Sequence, residues 1–410
     1  MTGPAPLLII IDDKRTDYIS FGPTDWNIST LAPWFNGTEQ APGFASQGSG
    51  QFGTISMNFQ GESFVKCLFE LNRNLLSGTS VAFFGVTPQV FNDSQILTVS
   101  IDGSQPTNTS YDDPNPPSYR QLYQSPTLSD GSHQISLSHL AGTSLDFAVV
   151  TVGNNTPLAS QVAIVDNEDP LITFKGNWES REASFTSGQS PDGFPFHNST
   201  QDSTTIGDNL TFSFTGTACC PTHCNGSSFS LGQSAAIYGI FNWSNLGLLT
   251  LTFIMDDSSL SRTFQVTATT PQFQSQLGQQ QNFQFFSYDF LQPGNHTLVV
   301  NVTNCVNQTF SFDYITFAPS FSTLATRPNL TSLTDTVSND SSSSHKLSAG
   351  AIAGIAIVVI IVSLGGVLFS RRQRRKKISQ HSISEPFISA IRFLNSTKNI
   401  CSQPIPSQTS

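Results

Sequence analysis

Apolar and polar side chains alternate in short segments along most of the chain. The alternation is clear in Thr211–Phe214 and in Phe310–Phe312. Segments of this kind begin and end near Gly, Pro, Asn or Asp. A period of two residues indicates half-buried antiparallel strands, and no stretch before residue 348 keeps the 3.6-residue period of a helix. At about seven to nine strands per 150 residues, the pattern predicts an all-β region of β-sandwiches, with jelly-roll topology favoured.

The same segments occur twice in the same order, which predicts two tandem copies of one domain. IIIDDKRTDYISFGPTDW resembles AIVDNEDPLITFKGNW, so Asp12 corresponds to Asp166 and Trp26 to Trp178. Five further matches follow: TISMNFQG with NLTFSFTG, SVAFFG with SAAIYG, LTVSIDG with LTFIMDD, DGSHQISL with PGNHTLVV, and LDFAVVTV with FSFDYITF. We assign the copies to residues 1–155 and 158–319, and expect the two tryptophans to close one end of each sandwich.

Residues 348–369 predict a single transmembrane helix. The stretch contains no charge and no proline, and about 20 apolar residues are enough to cross the hydrocarbon core of a bilayer. A buried helix of a soluble protein is the alternative. A basic cluster follows directly, and the positive-inside rule places it in the cytoplasm, against anionic lipid headgroups. This cluster consists of Arg371, Arg372, Arg374, Arg375, Lys376 and Lys377.

The predicted topology is therefore a single-pass type I protein of the plasma membrane, with the N-terminus outside and the C-terminus in the cytoplasm. Gly350 and Gly354 have the spacing of a helix-dimer contact, although glycine is common in membrane helices. Residues 320–347 are rich in Ser and Thr and predict a flexible stalk. Residues 370–410 predict a basic, disordered tail.

Charge is divided along the chain. The net charge is −10, made up of about +7 from Arg371 onwards and about −17 before it. An acidic extracellular part without a basic stripe excludes nucleic acid as a partner. Only 11% of the residues are charged, against about 25% in typical globular proteins, and the many Ser, Thr and Asn residues fit a secreted, glycosylated surface.

Sequons for N-glycosylation are frequent on the predicted outer side. Asn209 and Asn301 lie in predicted strands and are expected to be unmodified, and Asn395 lies in the tail. The expected acceptors are Asn27, Asn36, Asn92, Asn108, Asn154, Asn198, Asn225, Asn242, Asn295, Asn307, Asn329 and Asn339.

The cysteines suggest disulfides in the second copy, because an extracellular compartment is oxidising. One bridge would link Cys219 or Cys220 to Cys224, and the remaining cysteine would pair with Cys305. A metal site at this cluster is the alternative. Cys67 is left without a partner, and Cys401 is expected to stay reduced in the cytoplasm.

No catalytic motif is present, and we predict no catalytic residue, metal or cofactor. His133 and His296 occupy equivalent positions of the repeat, which indicates a shared turn rather than a base. Trp34 and Trp243 could stack on sugars, but burial in the core is favoured. Three acidic groups could form a glycosidase-like pair, although turns and strand ends also favour Asp. They are Asp12 with Asp13, Asp166 with Asp169, and Asp256 with Asp257.

The N-terminus does not resemble a signal peptide. The apolar run Leu7–Ile11 is short, has no basic residues before it and ends in two acids. We expect the sequence to be incomplete or already processed at this end. The alternative is that the transmembrane helix acts as its own signal anchor.

The segments VDNEDPLITFKGNW, LTFSFTGT, AIYG and FDYITFAPS resemble those of fungal, mushroom-type single-span surface proteins. In that group, galactose-binding-like jelly-roll domains precede a Ser/Thr stalk, a GAIAGIA-type helix and an Arg/Lys cluster. The resemblance covers most of residues 9–377 and implies architecture and location without a mechanism. The leading hypothesis is a surface binding or adhesion protein, directed toward cell-wall or extracellular glycans. An extracellular glycan-active enzyme and a cell-wall sensor that signals through its tail are the alternatives.

Overall fold

The computed structural model describes residues 6–42, 52–59, 78–91, 93–188, 191–217 and 234–328. These residues form 22 β-strands, one four-residue helix and three short 3-10 turns. They belong to one compact unit, Met1–Thr336. The prediction of an all-β, sandwich-like fold with almost no helix is confirmed.

Among the described residues, the first half of this unit contains eleven strands. They are β1 (Leu8–Asp12), β2 (Ile19–Gly22), β3 (Trp26–Ser29), β4 (Glu39–Pro42), β5 (Gly53–Phe59), β6 (Ser80–Val86), β7 (Ile96–Ile101), β8 (Thr107–Ser110), β9 (Tyr119–Gln124), β10 (His133–Leu140) and β11 (Ser144–Thr151).

The second half also contains eleven strands, with the short helix α1 (Pro271–Gln274) between the eighth and the ninth. They are β12 (Ala163–Asp166), β13 (Ile172–Lys175), β14 (Glu179–Arg181), β15 (Thr200–Ser203), β16 (Asn209–Gly216), β17 (Ala235–Asn242), β18 (Gly247–Met255), β19 (Ser258–Val266), β20 (Gln279–Tyr288), β21 (Gly294–Val306) and β22 (Phe310–Phe317).

Each half pairs an outer sheet with an inner sheet, and the described strands pair with one another antiparallel. The outer sheets have the orders β2-β5-β10-β7-β8 and β13-β16-β21-β18-β19. In the first inner sheet, β11 lies between β6 on one side and β1 and β4 on the other, and β22 has the same position in the second. This arrangement is consistent with the expected jelly-roll-like domains.

The strand register supports the residue correspondence expected from the repeat. Asp12 ends β1 opposite Phe147, and Asp166 ends β12 opposite Tyr314. Trp26 and Trp178 are both partly buried against the main hydrophobic core. The matched segments therefore occupy matched places in the two halves.

The two halves meet along their inner sheets. β1 pairs with β12 through Leu8 opposite Ile164 and Ile9 opposite Ala163, which makes one continuous 12-stranded sheet. Successive side chains of a strand point to opposite faces, so Ile9 packs in the sandwich core whereas Ile10 packs in a second cluster. That second cluster takes residues from both halves, which explains why every residue of β6 and β22 is buried.

The folded unit extends beyond Pro319, where the stalk was expected to begin. Phe321 is buried in the main core, and the carbonyl of Ser322 accepts a hydrogen bond from the Leu158 amide at 2.9 Å. The Ala325 amide donates to the Asn154 carbonyl at 3.2 Å. The start of the Ser/Thr-rich segment is therefore anchored by one aromatic residue and by backbone hydrogen bonds.

Among the residues that the structure describes, no helix has the length and apolar character needed to cross a membrane. The predicted span 348–369, with Gly350, Gly354, the basic cluster and the tail, lies outside those residues.

Candidate functional site

A polar cleft opens at one edge of the second half. Its volume is about 440 Å³, which is within the usual range of small-ligand sites. Six short stretches of chain meet there: the end of β14, the segment 186–188, the end of β17, the turn 244–245, the segment 276–279 and the start of β22. The described lining residues are Arg181, Thr186, Ser187, Gly188, Ile240, Asn242, Ser244, Asn245, Gln276, Gly278, Gln279, Thr309 and Ser311.

One wall of the cleft depends on a close approach of two backbone segments. The Gly188 amide donates to the Leu277 carbonyl at 2.7 Å, and the Gln279 amide donates to the Thr186 carbonyl at 2.8 Å. A Cβ at Gly188 would lie only 1.6 Å from the Gln276 carbonyl oxygen. The glycine is therefore required for the two segments to pair and to build this wall.

The opposite wall is the turn 242–245, whose backbone is hydrogen-bonded by the side chain of a buried glutamine. Gln308 donates through Nε2 to the carbonyls of Asn242 (3.2 Å) and Asn245 (2.6 Å). The Asn242 side-chain oxygen accepts the Ser244 amide at 2.9 Å. Trp243 points away from the cleft, since its Nε1 donates to Gln280 and its ring packs on Phe241 at 4.7 Å. Its partial burial fits the sequence expectation.

Arg181 provides the charge in the cleft. It is the one charged residue among the described lining residues, and its side chain is 56% exposed. Asp202 lies behind it, with 3.7 Å between Nη1 and Oδ2, and burial raises the pKa of Asp202. None of the described lining residues is Asp, Glu or His. The cleft thus offers amides, hydroxyls and one guanidinium, but no described group suited to general acid–base chemistry.

The two equivalent histidines have the same structural role, as the repeat predicts. His133 places Nδ1 2.8 Å from Asp102 Oδ2 and Nε2 2.8 Å from the Ser129 carbonyl. His296 places Nδ1 2.7 Å from Asp256 Oδ2 and Nε2 2.7 Å from the Gln292 carbonyl. Asp256 is therefore engaged in a turn contact rather than paired with another carboxylate.

We expect the His133 contact to stabilise the fold more at low pH than at high pH. Both ring nitrogens of His133 face acceptors, and only the protonated ring can donate from both. Burial lowers the pKa of His133, but the hydrogen bonds to Asp102 and Ser129 outweigh it and raise the pKa. This contribution is complete below about 6.5, the ordinary histidine pKa, and is lost as the pH rises through the raised value. His133→Gln should cost about 1 kcal/mol at pH 5.5 and less at pH 9.

Urea unfolding of the full chain at the two pH values measures this difference. Asp102→Asn removes the charged acceptor and should reduce the same low-pH contribution. An equal loss at both pH values for His133→Gln would show that the contact does not depend on the charge of the ring.

The remaining acidic candidates do not line the cleft. Asp12 and Asp13 are fully buried, and the Asp13 carboxylate accepts a hydrogen bond from Thr38 at 2.8 Å. Asp166 accepts from its neighbour's amide and contacts His197, and Asp169 accepts the Leu171 amide. Among the described residues no group of three or more His, Cys, Asp or Glu has a metal-binding arrangement.

A buried polar network between the halves contains acids that the sequence patterns did not single out. Asp146 and Asp313 lie at equivalent irregularities of β11 and β22, and they accept the amides of Phe35 (2.9 Å) and Phe196 (3.1 Å). The match of LDFAVVTV with FSFDYITF is two residues out of register with the structure, which makes Asp146 equivalent to Asp313. Aligning the shared Asp-aromatic pair would have found both acids.

The described acceptor asparagines differ in exposure. Asn36 and Asn242 are half-buried, whereas Asn27, Asn108, Asn154, Asn198, Asn295 and Asn307 are exposed. Asn92, Asn225, Asn329 and Asn339 lie outside the described residues, as do Cys219, Cys220 and Cys224. Cys305 is half-buried, its thiol donates to the Gln308 carbonyl at 2.9 Å, and burial raises its pKa.

The described residues thus form an all-β, sandwich-like unit with a polar cleft in its second half. No family model and no curated protein matches the sequence. Among solved structures, a Paenibacillus xanthan lyase is 12% identical, with 78% of this chain and 27% of that chain covered and a TM-score of 0.24. This chain therefore spans about a quarter of the length of that lyase.

Two further solved structures are similar at the same low level. The tandem CBM22-1–CBM22-2 domains of Paenibacillus barcinonensis Xyn10C are 11% identical, with 78% of this chain and 99% of that chain covered and a TM-score of 0.21. The insecticidal delta-endotoxin Cry8Ea1 of Bacillus thuringiensis is 10% identical, with 78% and 54% covered and a TM-score of 0.20.

Proposed function

We propose that this chain is a cell-surface glycan-binding protein and that the cleft of the second half holds the glycan. The observation that carries the proposal is the composition of the lining: amide and hydroxyl side chains with one guanidinium. Sugar hydroxyls both donate and accept hydrogen bonds, and Asn, Gln, Ser and Thr side chains do the same. The volume of about 440 Å³ fits a short oligosaccharide segment.

Binding without turnover is favoured over the enzyme alternative. Most glycoside hydrolases use two carboxyl groups about 5–9.5 Å apart on either side of the scissile bond. The described lining residues of the cleft provide none. We therefore propose recognition, with adhesion as its consequence.

The proposed location and partners follow from the sequence. The apolar segment 348–369 and the basic cluster support a single-pass type I glycoprotein of the plasma membrane, with the cleft on the outer side. The lipid bilayer is then one partner, and Gly350 and Gly354 support a homodimer through the transmembrane helix.

A glycan array with the full chain tests the function. The chain is produced in a bacterial host, which adds no N-glycans, and the strongest hit is titrated against variants. Arg181→Gln should weaken binding about tenfold, because a charged hydrogen bond contributes about 1.5–3 kcal/mol. Asn245→Ala should weaken it about threefold.

Lys175→Gln is the matched control, because it removes an exposed cation that does not line the cleft. It should leave the affinity unchanged. Binding that neither cleft variant weakens would refute the cleft as the site. Release of a shortened glycan would support the enzyme alternative instead.

A further inference from the structure

One sequon opens directly into the cleft. Asn242, Trp243 and Ser244 form it, and Asn242 and Ser244 both line the cleft while Trp243 packs toward the core. The Asn242 side-chain oxygen accepts the Ser244 amide, and this contact fixes which atom of the side-chain amide is the nitrogen. That contact uses Oδ1 and not Nδ2, the atom to which an N-linked glycan is attached.

Two other sequon asparagines are less available for glycan attachment than Asn242. Asn307 already donates through Nδ2 to the Leu246 carbonyl at 2.7 Å. Asn36 is half-buried, and Thr38 of its sequon is only 4% exposed. Asn242 instead borders an open volume of about 440 Å³. A glycan attached to Asn242 would therefore start at the border of this volume.

We propose that Asn242 carries an N-linked glycan whose first sugars occupy the cleft and close it to other glycans. In the transfer, the Asn242 amide nitrogen loses a proton and bonds to C1 of the incoming sugar. The bond from C1 to the phosphate of an activated sugar–lipid donor breaks, and the phosphate leaves with the electron pair. The proposal rests on the proposed function of the cleft. Under it, N-glycosylation of Asn242 regulates whether the cleft can bind other glycans.

Tethering makes the attached glycan an effective competitor. A short tether gives an effective concentration of about 1 mM. If attached and free glycans bind the cleft with similar Kd values of about 100 μM, the free glycan loses roughly tenfold in apparent affinity. A chain without the Asn242 glycan is then the active form for adhesion.

The test compares full chains from a eukaryotic host and from a bacterial host. The array hit is titrated into wild type, Ser244→Ala, which destroys the sequon, and Ser244→Thr, which keeps it. For each variant the ratio of Kd between the two hosts isolates the effect of the glycan. We expect a ratio of about ten for wild type and for Ser244→Thr, and a ratio near one for Ser244→Ala.

A second readout does not depend on the ligand. Glycopeptide mass spectrometry follows the release of glycans from the native chain by an endoglycosidase. The glycan at Asn242 should be released several-fold more slowly than that at Asn295, which is exposed and does not line the cleft. Both should be released at similar rates after denaturation.

The outcomes separate the two proposals. An unmodified Asn242, or release there as fast as at Asn295, overturns the inference. A host ratio near one for wild type also overturns it. Failure of every bacterial product to bind any glycan overturns the proposed function instead, while the release rates still decide whether the attached glycan occupies the cleft.

Discussion

Asn282→Ala is expected to lower the free energy of unfolding by about 3–5 kcal/mol, because it removes the centre of the polar network between the halves. Asn282 Nδ2 lies within hydrogen-bond distance of the Pro33 carbonyl (3.1 Å), Tyr119 Oη (3.1 Å) and Asp146 Oδ2 (3.2 Å), so its two hydrogens are shared among three acceptors. Its Oδ1 accepts the Tyr314 hydroxyl at 2.9 Å. The φ of 51° at this position also disfavours alanine.

Urea unfolding of the full chain measures the loss, with two variants as references. Tyr314→Phe keeps the ring packing and removes one hydrogen bond, so it should cost about 1 kcal/mol. Asn304→Ala changes an exposed amide of β21 and should stay within about 0.5 kcal/mol. A loss for Asn282→Ala no larger than that for Asn304→Ala would mean that the network does not hold the halves together.

Asp12→Asn is expected to stabilise the protein at high pH. Burial, and then the charge of neighbouring Asp13, raise the pKa of Asp12 to about 8. The folded state therefore keeps a proton that an unfolded aspartate releases near 3.8. The unfolding free energy must fall as the pH rises from about 4 to about 8, because the folded state binds more protons there.

An asparagine at this position has no charge to bury. The free energy of unfolding of the Asp12→Asn variant should therefore change less with pH than that of wild type. Relative to wild type, we expect Asp12→Asn to gain at least about 2 kcal/mol between pH 5 and pH 9. Thermal unfolding across that range measures the change. Asp257→Asn, at an exposed turn position, is the control and should follow wild type. Parallel profiles for Asp12→Asn and wild type would show that Asp12 is ionised throughout.

Repeated local patterns made much of the fold predictable from the sequence. Alternating segments became antiparallel strands, and the similarity of the two segments that run from Asp to Trp placed Asp12 and Asp166 at the same point of the two inner sheets. The equivalence of His133 and His296 was visible for the same reason. In each of these cases the prediction depends on one short segment, in which the alternation of apolar and polar residues and the turn-forming residues can be recognised from the sequence.

The cleft and the polar network were not predictable in this way. The cleft combines stretches as far apart as Arg181 and Ser311, and only the folded sheet brings them together. Asp146 and Asp313 lie where the strand register shifts, so a match without gaps misaligned them. Phe321 was assigned to the stalk because its neighbours are polar, yet one buried aromatic ring is enough to anchor that segment.

Hydrogen exchange of the full, unglycosylated chain, with and without the glycan found on the array, tests directly whether the cleft holds the glycan. We expect slower exchange on binding in the segments 186–188, 242–245 and 276–279, which form the walls of the cleft. Arg181→Gln should reduce this protection at the same glycan concentration. Protection confined to the outer sheets, or binding that slows exchange nowhere in the cleft, would contradict the assignment of the cleft as the glycan site.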